Sequence, residues 1–222
     1  MRAWNIDSSS PLKEVLAIGA HSDDIEIGAA GTMLWLRQCF PDPHVRWVVL
    51  CATAERRDEA RRSARSILGG DRNCTVDTHD FRDGFFPYEG AKVKDVFERL
   101  KATVAPDLIL THHGDDRHQD HRLVSELTWN TFRDHIIMEY EVPKYDGGMG
   151  SPNFFVPLAT DIVERKVDGL MEHFGTQRNK AWFSKETFLG LMRLRGIECR
   201  SPSGYAEGFY VRKAIWREGR GG

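Results

Sequence analysis

Short apolar runs recur along the chain, separated by longer stretches with helical spacing. Residues 14–19 (EVLAIG) are apolar after the first position, as in a strand covered on both faces. Residues 28–40 place Met33, Leu34 and Leu36 toward one side of a helix, which Pro41-Asp42-Pro43 ends. Residues 45–51 (VRWVVLC) predict a second strand, and 56–68 a charged helix closed by Gly69-Gly70. A third strand is expected at 74–78, a helix at 93–104 stopped before Pro106, a fourth buried strand at 107–111 (DLILT), and a helix at 119–134. Beyond these, 136–140, 153–158 and 209–216 read as strands, and 161–173 and 185–195 as helices. Strands alternating with helices of this length imply a mostly parallel sheet with helices on both faces. Residues 1–222 are read as one α/β domain, a length that buries a substantial core.

Composition narrows the function classes. Charged residues make up 29% and hydrophobic residues 41%, with a net charge of -2. This balance gives no electrostatic argument for nucleic acid or an anionic membrane. No run of about 18 apolar residues is present to span a bilayer. The first ten residues (MRAWNIDSSS) lack the apolar core of a secretory signal. Cys39, Cys51, Cys74 and Cys199 form no CxxC pair, a scatter that fits reduced thiols and a cytoplasmic location. No GxGxxG or GxxxxGK[ST] stretch is present, which argues against a nucleotide cofactor.

The chemistry concentrates after two strands. In an open α/β sheet, ligands bind outside the carboxyl ends of the strands. One polar cluster, His21-Ser22-Asp23-Asp24-Ile25-Glu26, follows the first strand. The second, Thr111-His112-His113-Gly114-Asp115-Asp116-Arg117-His118-Gln119-Asp120-His121, follows the fourth. Of nine histidines, five fall in these two segments, a concentration that favours a site over helix-capping roles. Histidine nitrogens and carboxylate oxygens are ordinary zinc ligands, and a catalytic site uses about three of them, leaving a position for water. A further carboxylate beside the ion can take the proton of that water.

At these residues the sequence resembles the LmbE/PIG-L family of zinc N-deacetylases. His21 to Gly28 (HSDDIEIG) is similar to the family's AHPDD signature, and His118-Gln119-Asp120-His121 to its HxDH motif, in the same order. The resemblance covers most of the first 125 residues and is faint beyond them. It implies a Rossmann-like three-layer α/β sandwich and the removal of acetyl groups from N-acetylated amino sugars or related glycoconjugates. It places Zn2+, or another divalent ion such as Fe2+, on His21, Asp24 and His121. Asp23 would be general base and then acid, protonated His118 would stabilise the oxyanion, and Asp120 would orient a neighbouring histidine. Arg56 and Glu59 match an Rx₂E pattern and would contact the substrate. Ser22 stands where the family usually has proline. Lys166, His173, Thr176 and Gln177 are loosely similar to a KxxA…HxSQ segment, with one extra residue between His173 and Thr176.

Other readings stay open at this point. The same centre could serve an amidase of larger conjugates, or a non-catalytic metal-containing sugar-binding module, and oligomeric state is not fixed by the pattern. The aromatic loop around Phe85, Phe86 and Tyr88 is read either as core filling or as a sugar-stacking surface, the first favoured. Residues 143–151, rich in Gly and Pro, are read as a loop over the cleft.

Overall fold

The first strand, β1 (Glu14–His21), is buried from Val15 onward and lies at the centre of the sheet. Successive side chains point to opposite faces. Val15 and Ala17 join one apolar cluster, while Leu16, Ile18 and Ala20 join another. The computed structural model describes residues 12–40, 43–70 and 72–215. After β1 come α1 (Asp24–Cys39), β2 (His44–Cys51), α2 (Ala54–Leu68), β3 (Cys74–Thr78), α3 (Gly90–Thr103), β4 (Leu108–His112) and α4 (Gln119–Thr131). Then follow β5 (Ile136–Tyr140), β6 (Phe154–Pro157), α5 (Thr160–His173), α6 (Lys185–Cys199) and β7 (Ala206–Tyr210). Single 3-10 turns lie at Phe86–Tyr88 and Gly175–Gln177.

The strands form one sheet in the order β3-β2-β1-β4-β5-β7-β6. Helices α1, α2, α5 and α6 supply side chains to the cluster on one face, α3 and α4 to the other, giving three layers. Strands β3 to β5 in this order pair in parallel. From β1 the chain moves outward to β2 and β3, then returns to place β4 on the other side of β1. That reversal opens a crevice at the carboxyl ends of β1 and β4, the place where doubly wound sheets bind ligands. Both polar clusters start there, since β1 ends at His21 and β4 at His112.

Three differences separate the structure from the sequence reading. Helix α1 begins at Asp24 rather than 28, because residues 24–27 already wind its first turn, with the acidic Asp24 and Glu26 at the positive end of the helix. Gly28 is therefore inside α1, where an added Cβ would sit 2.2 Å from Cδ2 of Tyr140. The last strand lies at Ala206–Tyr210 instead of 209–216, and Trp216 lies outside the described residues. Finally, β7 runs antiparallel between β5 and β6, so the sheet carries an antiparallel edge. The sequence periodicity reports burial and not strand direction, so it could not reveal this.

Candidate active site

The turn from β1 into α1 delivers His21, Asp23 and Asp24 to the crevice. Asp23 is the residue before the first helical turn, and Oδ2 of Asp24 accepts the backbone N–H of His21 at 2.7 Å. Ser22 Oγ donates to the carbonyl of Cys51 at 3.4 Å, which ties the turn to the end of β2 without the rigidity of a proline. From the other strand, His118 caps α4, its Nδ1 accepting from the backbone N–H of Asp120 at 3.3 Å. His121 then lies one turn into that helix.

Three candidate ligand atoms converge. Nδ1 of His21 lies 3.2 Å from Oδ2 of Asp24 and 3.2 Å from Nε2 of His121, and the latter two atoms are 3.4 Å apart. Atoms bound about 2.0–2.2 Å from a tetrahedral zinc stand roughly 3.3–3.5 Å from one another. The edges of the triangle, two at 3.2 Å and one at 3.4 Å, lie close to that spacing. All three residues are at least nine-tenths buried. The proximity of the three imidazoles holds the Asp24 carboxyl well below its ordinary range, although burial alone would raise it. Burial disfavours the charged His21 ring, but Asp24, Asp120 and Asp83 outweigh this and raise its pKa.

Three other groupings also lie within reach of one ion: Asp24, His112 and His121; His21, His118 and His121; and His21, Asp83, His118 and Asp120. His112 Nε2, however, accepts the backbone N–H of Ala20 at 2.9 Å, so its lone pair is already committed. Burial and the nearby His121 push its pKa down to about 3, leaving a neutral ring. This imidazole braces β1 against β4, and Tyr140, whose hydroxyl donates to the carbonyl of Ile18 at 2.6 Å, packs beside it.

Asp23 stays outside the triangle. Its Oδ1 accepts from Nη2 of Arg56 at 2.6 Å. Burial raises its pKa, the Arg56 charge lowers it, and Asp24 raises it again; the net direction is upward. His118 sits edge-on to His21, with ring centroids 4.9 Å apart. Because Nδ1 of His118 is an acceptor, a neutral ring carries its proton on Nε2. Burial, His121 and His21 all lower its pKa, so the ring is held neutral.

Asp120 is fully buried. It accepts from the backbone N–H groups of Gly84 at 2.6 Å and Phe86 at 3.1 Å, and its Oδ2 lies 3.3 Å from Nε2 of His21. Gly84 adopts φ +79°, a left-handed conformation that glycine takes without strain. Asp83, on the same loop, brings Oδ1 within 3.1 Å of Nε2 of His21.

The sequence reading assigned no role to two further residues. Asp116 Oδ2 lies 3.0 Å from Nδ1 of His121 and 2.6 Å from Nζ of Lys144. Asp116 was visible within the second cluster, but nothing in the spacing paired it with His121. Lys144 arrives from the loop after β5, and no local pattern marks it. Of the two expected substrate residues, Arg56 faces Asp23 at the site. Glu59 instead has its oxygens on the backbone N–H and the hydroxyl of Thr176, at 2.9 and 2.7 Å. Lys166 is spent on a buried ion pair with Glu207, and His173 is the last residue of α5.

Comparisons with known proteins agree with this architecture. The uncharacterized deacetylase YaiS of Escherichia coli (strain K12) is 28% identical over 153 residues, 62% of this chain and 78% of that protein. The N,N'-diacetylchitobiose deacetylase of Pyrococcus horikoshii, solved with its inhibitor MPG, superposes with a TM-score of 0.70 at 22% identity, covering 92% of this chain and 88% of its own. GalB, the 4-carboxy-2-hydroxymuconate hydratase of Pseudomonas putida KT2440, superposes with a TM-score of 0.65 at 17% identity, covering 93% and 98%. At these identities the structural likeness shows the fold, and a hydratase shares it with a deacetylase. The model of the GlcNAc-PI de-N-acetylase (PIG-L) family matches residues 16–132, more than half of the 222, and the chain belongs to that family.

Proposed function

We propose that this protein is a metal-dependent hydrolase that removes an N-acetyl group from an amino sugar or a sugar-containing small molecule. The observation that carries the reading is the triangle of His21, Asp24 and His121 with the carboxylate of Asp23 beside it and outside it. Zn2+ fits this donor set, and Fe2+ is the alternative. When bound, such an ion polarises a carbonyl and lowers the pKa of its water to about 7.

The remaining work falls to the chain itself. Asp23 takes the proton from the attacking water as the new C–O bond forms at the amide carbonyl. The same carboxyl then passes that proton to the nitrogen as the C–N bond breaks, so acetate and a free amine leave. A carboxyl raised above its ordinary range by burial is better matched to both duties. His118 donates its Nε2–H to the developing oxyanion. With Nδ1 accepting the N–H of Asp120, we read the donation as coming from the neutral ring; the sequence reading has an imidazolium in this role. Asp120 fixes the ring of His21 through Nε2, and Arg56 sets the charge around Asp23 while reaching toward substrate hydroxyls.

Asp116 belongs to the same support, orienting His121 from behind. Asp116→Asn is expected to weaken zinc affinity by about 10–100-fold, read by competition with a chromophoric chelator. An unchanged affinity would show that Asp116 does not hold His121.

No helix among the described residues is long and apolar enough to cross a membrane. The scattered cysteines, free among the described residues, are what the cytoplasmic reading rests on. The direct test is elemental analysis of the purified protein, with acetate release followed on a panel of N-acetylated sugars. About one metal per chain and release abolished by chelator are expected. Metal without acetate release from any sugar would point to a larger amide, to a binding module, or to a hydratase like GalB.

A further inference from the structure

The loop that supports the site also carries an aromatic surface that the chemistry above does not use. Within residues 82–88 the chain divides its side chains between two directions. Asp83 reaches His21, the N–H groups of Gly84 and Phe86 hold Asp120, and the Phe86 ring is fully buried 6.1 Å from His21. Phe85 and Tyr88 turn outward, 36% and 82% exposed, with ring centroids 5.8 Å apart and planes tilted by 55°. Arg82 lays its guanidinium 3.6 Å from the centre of the Phe85 ring, which fixes that ring from one side. A loop pinned to Asp120 by two backbone hydrogen bonds is a rigid mount. Core packing explains Phe86 but not two outward rings on such a mount.

We propose that Phe85 and Tyr88 form a stacking platform for a second pyranose ring, joined to the sugar that carries the scissile amide. Aromatic faces take up the apolar C–H face of a sugar, while its hydroxyls stay in water or meet a polar group such as Arg82. Phe85 lies between Asp83 and Phe86, both of which pack against His21, so the outward rings adjoin the site and would read a unit next to the reacting one. Binding energy gathered on such a remote ring favours longer substrates. This inference rests on the sugar reading above.

The test compares binding of N,N'-diacetylchitobiose and N-acetylglucosamine to the zinc-loaded protein by calorimetry, for the wild type and for Tyr88→Ala and Phe85→Ala. Tyr88 is so exposed that its truncation leaves the core intact. The wild type is expected to prefer the disaccharide by about three- to tenfold, and each variant to lose most of that preference with its monosaccharide affinity unchanged. Equal losses for both sugars, no loss, or no binding of either sugar by the wild type would overturn the platform. Acetate release is read in parallel. A preference that collapses in the variants without any acetate release would sink the deacetylase reading and leave the platform standing.

Discussion

Asp23→Ala is expected to lower turnover by about 10²–10⁴-fold while bound metal stays at its wild-type level. The two halves of this expectation have separate origins. Metal retention follows from geometry: the edges of the ligand triangle run between His21, Asp24 and His121, and Asp23 contributes to none of them. Loss of turnover follows from chemistry, since Asp24, Asp120 and Asp83, the other described carboxylates against His21, are each committed elsewhere. Asp24 is held well below the ordinary range by its three histidines and makes a poor base. Asp120 spends its oxygens on Gly84, Phe86 and His21. Asp83 has its pKa lowered to about 2 by its bond to His21. The check pairs the rate of acetate release with elemental analysis of the same preparation. Near-full activity with metal bound would end the assignment of Asp23. Loss of metal along with activity would mean that the carboxylate shapes the turn rather than the reaction.

Much of this site was legible in the chain before its folding was known, for a definite reason. The apolar runs at β1 and β4 mark strands buried on both faces, and such strands end where ligands bind. The segments that leave their ends are close in space although distant in sequence, which is how His21 and His121, a hundred positions apart, meet. What stayed hidden was of another kind. The antiparallel insertion of β7 depends on how a late strand finds the sheet edge, and alternation of burial carries no sign of direction. Lys144 reaches Asp116 from a loop whose path is set by tertiary packing. Phe85 and Phe86 are adjacent and chemically identical, yet one is exposed and the other buried. The backbone N–H groups of Gly84 and Phe86 bind Asp120, a contact between residues more than thirty positions apart that no local pattern announces. His112 shows the converse: it lies in the richest cluster of possible ligands, but its nitrogen serves a backbone N–H.

That contrast makes the two histidines a decisive pair. His21→Ala is expected to abolish stoichiometric metal binding, with a loss of affinity larger than the roughly 10–100-fold that removal of an outer partner costs. His112→Gln is expected to keep the metal, because the amide oxygen can still accept the N–H of Ala20. Two of the candidate ligand sets share Asp24 and His121 and differ in which of these two imidazoles completes them. In His21→Ala the Asp24 carboxylate keeps the backbone N–H of residue 21, so the turn into α1 has its anchor and the variant should fold. Thermal unfolding of the metal-free proteins checks that point independently of the ion. Zinc titration of both variants then decides the ligand set. Metal lost from His112→Gln and retained by His21→Ala would assign the ion to His112, and His21 would become the ring that faces the substrate, with Asp83 and Asp120 behind it.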